Sequence, residues 1–129
     1  MSKAFSDFDN DYRDGLVGER LTAEIIKTAE VKTDYQWQRT GNFYIEYECF
    51  YNNINAWAPS GIEVTTANYW SLVMPIRNKK PIVLDIPTSL LKKVCKGASK
   101  AEMNDGLNPS KGYLVKVSQI FEAVRNATT

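Results

Sequence analysis

Histidine is absent from this chain, and cysteine occurs only twice, at Cys49 and Cys95. Without imidazole, a zinc site of the cysteine–histidine kind is excluded, as are Ser-His-Asp and Cys-His catalytic arrangements. The two cysteines lack metal-type spacing and fit a reduced, cytoplasmic protein. No apolar run approaches the ~18 residues of a membrane-spanning helix, so no membrane partner is expected. The polar, acidic opening MSKAFSDFDNDYRD has the pattern of neither a signal peptide nor an Arg-rich transit peptide. A formal net charge of +1 gives no global basic excess, although a basic patch can still form locally. Acid–base or metal chemistry must therefore draw on carboxylates, lysine, tyrosine or water.

What is present suits one globular domain over residues 1–129, since 129 residues that are 43% hydrophobic can bury a core without staples. Residues 1–11 and 126–129 read as loose termini. Residues 12–27 read as a helix despite Gly15 and Gly18. At about 100° per residue, Val17, Leu21 and Ile25 form its apolar stripe, with Arg20, Glu24 and Lys27 in the solvent sector. Glu19 falls between Ile26 and Ala23, so its carboxylate is expected to face the protein body.

Residues 29–34 and 42–50 read as an antiparallel strand pair. In the second, Phe43, Ile45, Tyr47 and Cys49 alternate with Tyr44, Glu46 and Glu48. Residues 52–61 read as a loop, and residues 62–76 as a short strand, a turn capped by Thr65 or Thr66, and a strand from Trp70. A charged turn at Arg77-Asn78-Lys79-Lys80 precedes a buried-type strand. Thr88 then caps a helix that Gly97 ends. Residues 98–112 read as a polar loop and 113–121 as a last strand before a short helix. The order implies an α/β domain with a central mixed sheet flanked by helices.

Period-two parity puts Glu30, Lys32 and Asp34 on one face of the first strand, and Glu46 and Glu48 on one face of the second. Paired strands lie about 4.8 Å apart, so such carboxylates can share one hard cation, Mg²⁺ or Mn²⁺. The ion would acidify a water for phosphodiester hydrolysis, with a lysine stabilising developing charge. The other reading is a wet sheet face with surface ion pairs worth about 0–1 kcal/mol. Against it stand four acids facing one lysine and the inward Glu19.

The set GERLTAEII, then EVKTD, then TGNFYIEYE, with SGIEVTTANYW following, resembles a small phage-type, Holliday-junction-resolvase-like member of the PD-(D/E)XK nuclease superfamily. The resemblance covers roughly residues 12–76. It implies a restriction-endonuclease-like fold and Mg²⁺- or Mn²⁺-dependent endonuclease activity on DNA in phage replication, recombination or repair. It makes Asp34 the motif aspartate, Glu46 the first residue of Glu-x-Lys and Glu19 the acid of the first helix. Asp34, Glu46 and Glu48 would be the metal ligands. Glu48 stands where the family has lysine, and Lys32, on the face of Asp34, is the substitute. A second alignment makes Glu30-Val31-Lys32 the Glu-x-Lys motif, though the first helix leaves little room for an upstream aspartate strand. With catalysis lost, the same fold would serve as a DNA- or protein-binding module. A homodimer belongs to the same expectation, because many nucleases that cut both strands act in pairs.

Tyr35, Trp37 and Arg39 suit stacking on or clamping nucleic acid, or else local packing. Ser60, Thr65 and Thr66 suit a substrate groove, with capping as the other role for a threonine. Arg77, Lys79 and Lys80, and Lys92, Lys93, Lys96 and Lys100, suit phosphate contacts or solvated faces. Cys49 is expected in the core.

Overall fold

The structure, a computed structural model, describes residues 3–104 and 108–127, with the backbone alone described for 3–14. Helix α1 spans Lys3–Thr28, β1 Glu30–Thr33, the single turn α2 Trp37–Thr40, β2 Asn42–Tyr51 and β3 Ala56–Pro59. A 3-10 turn at Gly61–Glu63 leads to β4, Tyr69–Ile76, and β5, Lys79–Pro87. Helix α3 (Thr88–Lys96), β6 (Ser99–Met103), β7 (Ser110–Lys116) and α4 (Val117–Ala127) complete a small α/β domain. No helix among the described residues is long and apolar enough to cross a membrane.

The strands form two sheets rather than the single central sheet expected. One is three-stranded and mixed, in the order β1-β4-β5, with β1 parallel to β4 and β5 antiparallel to it. The other is four-stranded and antiparallel, in the order β3-β2-β7-β6. The expected β1–β2 hairpin is therefore corrected: β1 lies along β4, and β2 lies between β3 and β7. The physical reason is burial. Strand β4 is apolar on both faces and takes the centre of its sheet, while the half-polar β1 suits an edge.

The apolar faces of the two sheets meet in one core. Phe43, Ile45 and Val115 from one sheet face Trp70, Leu72, Met74 and Ile86 from the other. Ile62, Leu91, Val94, Cys95 and Ile120 close it from the 3-10 turn and helices α3 and α4. Each large side chain buried there contributes about 1.5–3 kcal/mol. A surface ion pair contributes about 0–1 kcal/mol, so the charged residues of the groove below are minor terms in stability.

Several boundaries differ from the sequence reading. Helix α1 begins at Lys3, not after a loose arm, and among its described side chains only Ile25 is buried. Val17, Leu21 and Ile26 are 64%, 48% and 73% exposed, and Glu19 is exposed rather than inward. Strand β3 lies within the expected loop of residues 52–61, and β6 within that of 98–112, of which residues 105–107 are outside the described ones. Both are short edge strands held by their neighbours' hydrogen bonds, so they carry no alternation of their own.

Helix α4 starts at Val117, where the reading continued a strand. Gln119 Oε1 accepts the Lys116 N–H at 2.8 Å, the return bond of a capping box. Asn126 and Ala127 belong to this helix, and residues 128–129 lie outside the described ones. The Thr88 hydroxyl donates to the Ala67 carbonyl at 2.6 Å instead of capping α3.

Gly61 is required twice over. Its φ is +52°, and a Cβ there would lie 2.2 Å from the Glu46 carbonyl oxygen. Gly61→Ala is expected to destabilise the domain by about 2–5 kcal/mol, combining left-handed strain with overpacking against backbone. Urea denaturation of the variant beside the parent checks this.

Candidate functional site

Strand β2 carries one residue more than its partner. Glu46 stands opposite Gly112 and Glu48 opposite Lys111, which leaves Tyr47 without a partner on β7. Gly112 and Lys111 are consecutive, so they face opposite sides of the sheet, and the bulge sends Glu46 and Glu48 to opposite sides too. Parity alone places those two carboxylates together; the bulge separates them. Cys49, opposite Ser110, is likewise turned off the core face and is only partly buried.

On the Glu46 side, the Tyr44 ring lies across Gly112, where a Cβ would come within 2.5 Å of it, and its hydroxyl meets Ser110 Oγ at 2.8 Å. Glu46 Oε2 accepts the Ser60 hydroxyl at 2.8 Å, and Ser60 is itself buried. The backbone reinforces this join, since Ser60 N–H donates to the Tyr47 carbonyl at 2.9 Å.

Glu46 opens onto a groove of ≈ 750 Å³ between the last turns of α1, the edge strand β1 and the loop after the 3-10 turn. Glu30 and Lys32 line it as well. They sit opposite Trp70 and Leu72 in the parallel register, and so share the core-facing side of their sheet. Because β1 is the edge strand, their charged ends leave the core there instead of being buried in it. The two form a 3.1 Å ion pair, and the Lys32 ammonium lies 5.8 Å from the Trp70 ring centroid. Glu24 and Ile25 of α1, Thr65, Thr66 and Asn68 also line the groove.

Of the residues singled out from the sequence, Lys32, Glu46, Thr65 and Thr66 line this groove, with Ser60 joined to it through Glu46. Thr65 is engaged structurally, its Oγ1 accepting from Ala67 N and Trp70 Nε1, each at 3.3 Å. Asp34 does not line the groove. Its Oδ1 accepts Gln36 N–H at 2.8 Å and its Oδ2 accepts Tyr44 N–H at 3.0 Å, so it ties the end of β1 to β2. Glu48 pairs with Lys111 at 3.5 Å on the far face. The Asp34–Glu46–Glu48 metal triad is thus not assembled, and among the described residues no three acid or cysteine side chains group to hold a metal.

Tyr35 is 79% exposed, and Arg39 Nε donates to Gln36 Oε1 at 3.1 Å. Trp37 donates its indole N–H to the Pro75 carbonyl at 2.7 Å and stacks on Phe43, which is local packing. Sequence reasoning ranked Glu30 second and set Glu24 in the solvent sector. The same-face placement of Glu30 with Lys32, expected from parity, holds in the structure. Nothing in the helical wheel marks Glu24, because its place on the groove comes from how the last turns of α1 sit beside β1.

No protein-family model matches the chain, and no curated protein or solved structure matches it. The geometry therefore stands on its own chemistry.

Burial pushes the Cys95 thiol up to about 12, with the Glu63 charge a smaller cause, and burial also raises that of Cys49. Both thiols are thus protonated at neutral pH and poor nucleophiles. For Cys95 the unfolded chain loses its proton first, near pH 9, so its contribution is present below that pH and is lost as pH rises toward 12. Urea midpoints are expected to fall from about pH 9 upward, and a Cys95→Ser variant to show a shallower fall. Asp34→Ala is expected to lower stability by about 1–3 kcal/mol by stripping two backbone donors of their acceptor. Thermal or urea melts measure that loss without reference to any activity.

Proposed function

We propose that this chain is a metal-dependent hydrolase of phosphodiester bonds in DNA, working in the groove between α1, β1 and β2. The observation that carries it is the convergence of Glu46 with Glu30 and Lys32, delivered from two different sheets to one groove. Of the motif residues, Glu46 and Lys32 of one alignment and Glu30 and Lys32 of the other line the groove, whereas Glu19, Asp34 and Glu48 do not. The restriction-endonuclease-like assignment of the fold belongs to this proposal.

A cage of three carboxylates does not fit the groove. Magnesium, however, commonly takes one or two carboxylates and fills its other positions with water, and Glu46 and Glu30 offer that donor set. The lining holds three glutamates, Glu24, Glu30 and Glu46, against one lysine, Lys32, a formal −2 that a divalent ion would balance. A bound ion would polarise a phosphoryl oxygen and lower the pKa of its water.

The chain's own residues do the rest. Ser60 holds the Glu46 carboxylate in a single orientation, and the backbone bond between Ser60 and Tyr47 keeps that serine in place. Glu30 steadies the Lys32 ammonium on the groove wall, where it offers positive charge to a phosphate oxygen. Thr66 and Asn68 supply further polar groups at the rim.

A second reading, a binding module of the same fold without catalysis, is favoured by one observation. Asp34 has both oxygens on backbone amides, and Glu48 is matched with Lys111. One experiment separates the two. Branched and single-strand-containing DNA is incubated with Mg²⁺ or Mn²⁺, and metal affinity is titrated by calorimetry. Hydrolysis is expected to require the ion and to fall at least about 100-fold in Glu46→Gln and in Lys32→Ala. A folded protein with neither millimolar metal affinity nor cleavage would leave the binding module as the function.

A further inference from the structure

The core-facing side of the four-stranded sheet runs on past the core into a second surface, independent of the groove. Lys111 and Tyr113 are two apart on β7 and share a face, and Lys100 of β6 is the register partner of Tyr113. The bulge at Tyr47 brings its ring against Tyr113, with centroids 4.6 Å apart and planes tilted by 38°. Next to them Phe50 and Trp57, opposite each other on β2 and β3, meet edge to face at 5.7 Å. Core packing covers this face at Phe43 and Val115 and reaches the inner edges of Tyr47 and Tyr113, and all four aromatics toward Lys111 are only half-buried.

Each aromatic pair carries an ammonium. Lys100 Nζ lies 5.5 Å from the Tyr47 centroid and 5.9 Å from that of Tyr113, and Lys111 Nζ lies 4.3 Å from the Trp57 ring. Beside Tyr113 a cavity of ≈ 200 Å³ is bordered by Lys92 and Lys96, one helical turn apart on α3. The acids on this side are Glu48, held by Lys111, with Glu63 at the cavity and Glu102 opposite Lys111. Four lysines thus face three glutamates.

We propose that this face is a platform for single-stranded DNA, whose unpaired bases stack on Tyr113 and Trp57 while Lys92, Lys96, Lys100 and Lys111 meet the phosphates. Both ingredients of that recognition are present: ring faces that accept any base, and cations beside them that follow the backbone. A protein partner recognised through an apolar patch would not call for an ammonium at each ring pair. Duplex DNA is the wrong ligand, because its base faces are already stacked.

The test is fluorescence anisotropy of a labelled oligo-dT 15-mer in EDTA, at salt concentrations from 50 to 200 mM. EDTA removes divalent ions, so the result does not depend on hydrolysis in the groove. Wild type is expected to bind the single strand more tightly than a duplex of equal length. Tyr113→Leu and Trp57→Leu are each expected to weaken binding about 5- to 100-fold, with Tyr113→Phe restoring most of it. Lys100→Ala, at an exposed position, is expected to reduce the slope of log affinity on log salt by about 0.7, and Lys80→Ala, in the other sheet, to leave it unchanged. Absence of binding at 50 mM salt would overturn the proposal, as would equal affinity for duplex. So would unchanged binding in Trp57→Leu and Lys100→Ala proteins with wild-type circular dichroism, whether or not Tyr113→Leu folds.

Discussion

The unpaired Tyr47 in β2 is the constraint from which the rest of the arrangement follows. A strand paired regularly through Tyr47 would show Glu46 and Glu48 on one face, as alternation requires. Left unpaired, it puts Glu46 opposite Gly112 and Glu48 opposite Lys111, on opposite sides. On the other edge of β2, the Tyr47 carbonyl takes the Ser60 amide in continuation of the β3 pairing, which seats Gly61 against the Glu46 backbone. The bulge also turns the Tyr47 ring onto Tyr113. It thus sets which carboxylate of β2 reaches the groove and which reaches the aromatic face.

Both surfaces use charges at places where water remains. Glu30 and Lys32 point along the inner side of their sheet, yet β1 is its edge, so they end in a groove rather than in the core. Had β1 been central, burying that ion pair would have cost several kcal/mol per charge before any attraction was recovered. Edge placement keeps the pair half-exposed and available to a ligand. Stability instead lies in the apolar faces of the two sheets and the helices that close them. Asp34 is the exception among the acids, because it is spent on joining the two sheets through the amides of Gln36 and Tyr44.

Strand β2, the apolar run of β4, the following β5 and the helix before Gly97 were all legible as elements, because their periodicity reflects burial. Strands β3 and β6 were not, because an edge strand can be polar throughout when its neighbour supplies the hydrogen bonds. The start of α4 was marked by Gln119, but that side chain becomes a cap only when Lys116 ends a strand. On α1 the apolar stripe of Val17, Leu21 and Ile25 was a correct description of a wheel and a poor guide to burial, since of the three only Ile25 is buried.

The amino-acid sequence by itself determined what chemistry is open to this protein. It has carboxylates, lysine and aromatics, no imidazole and only two thiols. It also determined the same-face pairing of Glu30 with Lys32, which needs only local alternation along one strand. Which carboxylates meet was decided by tertiary structure alone. That depends on the parallel pairing of β1 with β4, on the bulge at Tyr47 and on the docking of Ser60. Each of these is a contact between segments far apart in the chain, and none leaves a periodic trace in the residues that make it.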